Sequence, residues 1–599
     1  MDPLLQSAAG HLQAGRLVEA ESACRTLLAR RPADASATHI LGLVERRRGH
    51  LDEAERLLRL SVDLEPRNPE FRSNLGQLLA ARGQPDAGLQ QMQEAVRIEG
   101  RFRPVRLALA RLANQLGRPA LAETHARALV NADSRDSEGW SALGAALDAL
   151  GRETEARAAL ERAVEIAPRY GAARVNLAVT LCKQERAGEA LAQIEAAGRL
   201  GLAHPRFALT RARALMLLDR YDEAEAVLAS MVAARPDDLD SQFMLAQLRH
   251  VRGDEDFAAA LREAAALPAS PPAVAMMHAD VLRRAGQTDE AERLIDGLIA
   301  RHGRAPQLLS SLANLLQDSR RYAEAVAAAR EAAAAMPDDV PIVENFVAAL
   351  LSAGEPAEAV PVIERFRAQA PLDQRWITYR IDAARQLGEP LFAEWCDLER
   401  LVRPYDLPPP PGFASIEEFN AALRPVIEAR HAQRHHPLDQ SLRFGTQTSR
   451  GLLDDDEPLI VAFRRALAGP IADYQAAIGR DAGHPLLARN VAPARLVGCW
   501  SIRLRRGGHH VNHIHPEGWI SSAYYLAVPP EVADPVARSG WIKFGEPRFP
   551  MPGGEPLRFV QPRIGRLVLF PSYLWHGTTP ILGDEPRMTI AFDAVPRAA

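Results

Sequence analysis

From residue 1 to about 400 the apolar positions recur every three or four residues with charges between them, as in Leu41, Leu43 and Val44, then Ala54, Leu57, Leu58 and Leu60. This is the pattern of paired amphipathic helices, each presenting one apolar stripe. The pattern itself repeats with a step of about 34 residues. One small position is held by Ala20, Ala54, Gly88, Ala122, Ala156, Ala190, Ala224 and Ala258, and continues, after a one-residue deletion, through Ala291, Ala325, Ala359 and Ala393. A second precedes it in each unit, at Ala8, Gly42, Gly76, Ala110, Gly144, Ala178, Ala212, Ala246, Ala279 and Ala313, then Val347 and Ile381. Proline follows in Pro32, Pro66, Pro168, Pro236, Pro337 and Pro371, with Pro268 displaced near the deletion. Small residues let two helices approach closely, and proline ends the second of them. About twelve helical hairpins are therefore expected over residues 1–402.

The periodicity stops at the proline-rich stretch 403–412, which reads as a stiff spacer. Beyond it, over 413–599, a helical part from about 415 to 480 gives way to short β-favouring runs: 496–497, 523–528, 541–544, 567–570 and 588–592. Short strands separated by Gly and Pro turns predict a double-sheet jelly roll with helices before it. The fold class expected is thus a multidomain α + β chain, with a helical solenoid first and a jelly roll second.

Composition narrows the function classes. The 599 residues carry 72 basic and 76 acidic groups, a formal charge of −4, which gives no attraction to nucleic acid or an anionic membrane. Lys183 and Lys543 are the only lysines, so the basic set is almost wholly arginine, a bias that with abundant Ala and Pro suggests a bacterial source. Cys24, Cys182, Cys396 and Cys499 are far apart and form no metal or disulfide pattern. The polar start and the lack of a long apolar run point to a cytoplasmic protein that does not cross a membrane.

Histidine carries the candidate chemistry. His509, His510, His513 and His515 fall in one short segment that ends Pro516-Glu517, and on a strand residues two apart share a face, so His513 and His515, or His515 and Glu517, can aim at one metal ion. A solvated His-rich turn is the plainer alternative. Downstream, a strand-like run through Phe570 and Pro571 ends at Trp575-His576, and Arg587-Met588-Thr589 lies on a further run. Asn74, Asn176 and Asn345 share one repeat position, where an amide can hold a peptide backbone or simply face solvent.

Two resemblances follow. The hairpins, down to Tyr221-Asp222-Glu223-Ala224-Glu225, resemble the tetratricopeptide repeat, which implies a groove for a protein or peptide partner. His513-Ile514-His515-Pro516, Ser522-Ala523-Tyr524-Tyr525, the segment ending at His576, and Arg587-Met588-Thr589 resemble, in that order, the iron(II)/2-oxoglutarate-dependent dioxygenases. The upstream stretch from His436 through Arg443 to Thr448 resembles the lead-in of the same group.

This second resemblance implies Fe(2+) as cofactor, 2-oxoglutarate and O2 as cosubstrates, and hydroxylation coupled to oxidative decarboxylation. By it, His513, His515 and His576 are the metal ligands; the family's carboxylate, two residues after the first histidine, is here His515. Glu517 in a His515-Glu517 pair, or water, is the alternative third ligand. Arg587 and Thr589 are expected to hold the distal carboxylate of oxoglutarate, with Tyr525, or Tyr524 on the other face, adding a hydrogen bond. Trp519, Trp541 and Trp575 are either cavity walls or core. A hydroxylase whose repeats recruit a protein or peptide is the reading these residues favour; a repeat scaffold with a catalytically silent jelly roll is the alternative.

Overall fold

A computed structural model describes residues 2–202 and 206–597. The chain forms two compact units, Met1–Ala214 and Leu215–Ala599.

In the first unit, helices run in consecutive hairpins from Pro3–Gln13 with Leu17–Arg30 to Gly171–Lys183 with Ala187–Arg199. The two small positions meet inside each hairpin. A Cβ on Gly76 would stand 2.6 Å from the carbonyl oxygen of Gly88, and one on Gly144 would stand 2.5 Å from Leu160 Cγ. Asp34, Asn68 and Asp136 cap the first helices of their repeats by accepting from backbone N–H groups, which leaves fewer orphan donors at the helix start. Asn74 is not turned toward a free groove: its Nδ2 lies 3.1 Å from His39 Nε2 in the preceding repeat.

The second unit continues the hairpins, from Tyr221–Ala234 with Leu239–Arg252 onward, to Gln374–Leu387 and the short Pro390–Trp395. Asn345 donates to Ser310 at 2.8 Å, again linking consecutive repeats. Nine strands follow among the described residues: β1 Arg403–Asp406, β2 Leu442–Gln447, β3 Ala494–His510, β4 Ile520–Ala527, β5 Ile542–Phe544, β6 Arg558–Val560, β7 Arg566–Pro571, β8 His576–Thr578 and β9 Arg587–Pro596. They make one antiparallel sheet in the order β1-β7-β4-β9-β3-β2 and a smaller one in the order β6-β5-β8. This is the jelly roll; helix Ile416–Glu428 lies between β1 and β2 in the chain, and helices Pro458–Ala466 and Ala468–Ile478 lie between β2 and β3.

Two expectations change. The stretch 403–412 does not begin as a spacer: Arg403–Asp406 pairs with β7, Arg566 binds Asp406 at 2.9 Å, and buried Leu407 donates to Gly565 at 3.0 Å. Pro404 is tolerated because β1 is an edge strand with one side free of partners. Residues 442–447, read within a helical region, are the edge strand β2, because Phe444 takes φ 50° in a bulge opposite β3 and spoils any helical period.

The last long repeat helix serves two cores. On Gln374–Leu387, Trp376, Tyr379 and Ala383 pack with the repeats, while Ile377 and Ile381 belong to the core that holds Tyr573 and Leu574 of the β7–β8 loop and the neighbouring Trp395. Among the described residues no helix is long and apolar enough to cross a membrane.

Candidate metal centre

His513 and His576 come together through their backbones, each N–H donating to the other's carbonyl at 2.9 and 3.0 Å. His515 follows two residues later, and its N–H is held by Ser572 O at 3.0 Å. With these main-chain ties the three rings converge, at centroid separations of 4.2 Å for His513 and His576, 5.1 Å for His515 and His576, and 5.2 Å for His513 and His515. One nitrogen from each lies within 4.8 Å of the others.

The tautomers are set from behind. Nδ1 of His513 is 2.9 Å from Val511 O, Nδ1 of His576 is 3.0 Å from Leu574 O, and Nδ1 of His515 is 2.6 Å from Asp593 Oδ2. Each acceptor draws the ring proton to Nδ1 and leaves Nε2 with its lone pair, as metal-ligating imidazoles require. Burial, with the other histidines adding repulsion, holds His513 down at about 3 and His576 well below its usual range, so both are neutral at pH 7. The Ser441 hydroxyl lies between them and the sheet edge, 3.2 Å from His513 Nε2 and 2.9 Å from His510 Nδ1.

The rings open into a cavity of about 470 Å³. Because side chains alternate along a strand, β9 lines it with Arg587, Thr589, Ala591 and Asp593 in turn. Arg587 is 2 % exposed, donates to Gly540 O, and stands 5.6 Å over the Tyr525 ring. Its Nε has no hydrogen-bond partner, and neither does the Tyr525 hydroxyl. Burial lowers the Arg587 pKa from its ordinary value and pushes Tyr525 up to about 12. A lone buried cation costs several kcal/mol unless an anion joins it, so an anion at this end of the cavity would relieve that cost. Thr589, opposite Tyr525 in the register, adds a hydroxyl there.

Residues 498–593 match the family model described as "Putative 2OG-Fe(II) oxygenase". Residues 7–69, 41–101, 107–171 and 276–340, and separately 205–248, match two models described as "Tetratricopeptide repeat". The chain thus carries tetratricopeptide repeats across its N-terminal region and a domain at 498–593 that matches the 2OG-Fe(II) oxygenase model. No curated protein matches it. Among solved structures, yeast Tom70 aligns at 15% identity over 66% of this chain and 98% of its own, with a TM-score of 0.37. A tetratricopeptide repeat protein from Parabacteroides merdae aligns at 16% identity over 41% of this chain and 97% of its own, with a TM-score of 0.35. At these scores neither likeness adds to the fold described above.

The oxygenase family implies iron(II), 2-oxoglutarate and dioxygen, and the residues fit that group. Three imidazoles bring one nitrogen each to a common point, and an uncompensated arginine with an unpartnered phenol lies in the same cavity. Glu517 is exposed and lies outside the three-histidine group. Trp519, Trp541 and Trp575 give their indole N–H groups to Leu486 O, Val532 O and Asp382 and do not line the cavity; Trp500 does, stacked on His515 with ring centroids 5.9 Å apart. Tyr524 points the other way, to Asn420 at 2.7 Å.

Sequence reasoning missed Asp593 and Trp500, and it gave Ser441 and Gln447 of the lead-in stretch no role at the site. The first was within reach, since the alternation that pairs Arg587 with Thr589 continues to Asp593. Both histidine segments of the oxygenase domain are also braced by the repeat helix Gln374–Leu387: Thr378 donates to Tyr573 O at 2.6 Å, Trp575 donates to Asp382 at 2.8 Å, and Gln374 N–H donates to Pro516 O at 3.2 Å.

Proposed function

We propose that the C-terminal region is an iron(II)- and 2-oxoglutarate-dependent hydroxylase, and that the repeats recruit a cytoplasmic protein or peptide as its substrate. The observation that carries this reading is the pairing, in one cavity, of three Nε2 atoms with a buried arginine that has no carboxylate. In it, His513, His515 and His576 hold the metal, and Arg587, Thr589 and Tyr525 hold the distal carboxylate of oxoglutarate. When bound, iron(II) with oxoglutarate and dioxygen supplies oxidative decarboxylation to succinate and carbon dioxide, coupled to hydroxylation of an unactivated C–H bond.

The protein's own part is positional. Asp593 accepts from His515 and, through its other oxygen, from Ser521 at 2.6 Å, so a carboxylate behind His515 orients the ring that stands where the family has a carboxylate. Ile502, Ile542 and Phe570 keep water from the cavity, and Trp500 and Gln447 form the wall on the β2–β3 side, where a substrate side chain would lie. The scaffold alternative draws on the missing carboxylate ligand alone.

The test is succinate release from purified protein supplied with iron(II), oxoglutarate and ascorbate, with bound iron measured in parallel. Wild type should turn over slowly even without substrate. His576→Ala should lose iron and activity, and Arg587→Ala should keep iron and lose activity. A wild type that takes up neither iron nor oxoglutarate sinks the hydroxylase and leaves the scaffold.

A further inference from the structure

The lead-in segment gives Gln440, Ser441 and Gln447 to the cavity wall, but Arg443 is not part of that wall. It pairs with His509 on β3, one step from the cavity-lining His510, and so belongs to the opposite face of the β2–β3 ribbon. Its guanidinium donates at 2.7 Å to Gln440 O and to Leu442 O. The groups that act on its charge are Arg283 and Arg284 of the repeat helix Pro272–Arg284, and both repel it. Those two already have acids, Asp280 at 3.2 and 2.6 Å and Asp318 at 3.4 Å. Among the described residues no carboxylate is left over for Arg443.

The charge of Arg443 acts on two histidines, His250 and His436. His250, on the repeat helix Leu239–Arg252, lies with its ring 5.3 Å from that of His436 and 5.8 Å from that of His435. Nε2 of His250 and Nε2 of His436 are both buried and without a hydrogen-bond partner. The cluster is held rigidly, since Arg434 and His435 donate backbone N–H groups to Val251 O at 3.0 and 3.1 Å and Leu438 is buried in the repeat core with Leu261 and Leu308.

A buried polar atom without a partner costs about 1–3 kcal/mol and calls for a reason. Here two such atoms belong to one histidine cluster, and both rings feel the charge of one guanidinium that has no ion pair. A cation would be repelled by Arg443, and an apolar group would satisfy none of the three. One anion, accepting from Arg443 and from both rings with their protons on Nε2, satisfies all of them.

We propose that Arg443, His250 and His436 form an anion site, distinct from the metal cavity, that holds a carboxylate or phosphate on an acidic peptide. That the peptide is the substrate rests on the hydroxylase reading. Since Gln440 and Ser441 line the cavity immediately before Arg443 in the chain, the anchored acidic residue would lie a few positions from the residue being oxidised.

Fluorescence anisotropy of labelled oligoglutamate, oligophosphoserine and oligolysine peptides, titrated with the full-length metal-free protein, tests the site. The acidic peptides should bind and oligolysine should not, with affinity falling as salt rises. Arg443→Gln should weaken acidic binding at least about tenfold, the loss expected for a charge-assisted pair. Arg443→Lys should keep part of it, and His436→Ala should lose a smaller factor. Thermal melts identify any variant that fails to fold; if Arg443→Gln does, His436→Ala decides. Equal binding of oligolysine, or unchanged affinity in the folded variants, overturns the proposal. The ratio of glutamate to phosphoserine affinity says which anion is read. With no iron or oxoglutarate present, this outcome is independent of the succinate assay.

Discussion

Arginine does opposite things in the two kinds of structure in this chain. Many arginines of the repeats are solvent-accessible and paired, and they tie one hairpin to the next: Arg82 to Asp52 and Glu55 at 2.5 Å, Arg118 to Asp86, Arg152 to Glu123 at 2.7 Å, Arg252 to Asp222 at 2.7 Å, and Arg321 to Glu292 at 2.6 Å. In the sheet region Arg587 is buried with no acid, and Arg443 is half-buried with none. With almost no lysine in the chain, residue type alone cannot separate the two uses. The partner does. A paired exposed arginine is already satisfied and adds little, whereas a buried unpaired one is a standing cost that folding tolerates only where a ligand will relieve it.

The largest effect that would break this contrast is at Arg587. Arg587→Met removes the buried charge and keeps most of the volume, so oxoglutarate affinity, measured by calorimetry on iron-loaded protein without oxygen, should fall at least about a hundredfold, in line with loss of one partner of a buried charge pair. The ligand-free variant should melt higher than wild type, because an uncompensated desolvated cation has gone. A variant that melts lower and binds oxoglutarate normally would mean that Arg587 is a structural residue.

How far the sequence reached follows the same line. The repeats were legible because each depends on contacts within itself and its neighbours, so the fixed step of Ala and Gly records the close approach, as at Gly76 and Gly88. His513, His515, His576, Arg587, Thr589 and Tyr525 all line one cavity, and the resemblance had named them all. What stayed hidden depends on partners distant in the chain. β1 is a strand only because β7 stands beside it, and β2 only because β3 does. Asp593 matters because His515, 78 residues earlier, points at it. The helix Gln374–Leu387 keeps the repeat's register while it faces a sheet, and its ordinary helical period gives no sign that Thr378 and Asp382 brace the histidine segments.

Asp382 supplies the second test, smaller than the first. It is the carboxylate counterpart of Arg587, buried without an ion pair, and burial raises it from the ordinary 3.8 to about 7, opposed by the Trp575 N–H and by the charge of Arg385. The folded state therefore binds this proton more tightly than the unfolded chain. The stability it contributes is fully present below about 3.8 and is lost as pH rises through 7. Asp382→Asn keeps the acceptor for Trp575 and cannot ionise. Above about pH 7 its advantage in melting temperature over wild type should be level, and that advantage should build up as pH rises from about 4 to 7. A constant difference across that range would mean that the carboxyl is not titrating in the fold.

The smallest expected effect sharpens the comparison from the other side. Arg321 bridges Glu292 of the preceding hairpin and Glu324 of its own helix, at 2.6 and 2.7 Å, and lies open to solvent. Solvent screens both pairs, and holding a long side chain in one geometry gives back part of the attraction. Arg321→Ala should shift the melting temperature only slightly at low salt and not measurably at about 0.5 M salt, where screening acts over a few ångströms. Asp136→Ala is the control within the repeats, because Asp136 is buried, caps its helix through Gly139 N–H at 2.9 Å and takes two bonds from Arg103 at 2.7 Å. That loss should reach about 1–2 kcal/mol and persist in salt. If Arg321→Ala matched it, pairing and exposure would not be what separates the structural arginines from those awaiting a ligand, and the case for Arg443 and Arg587 would need another footing.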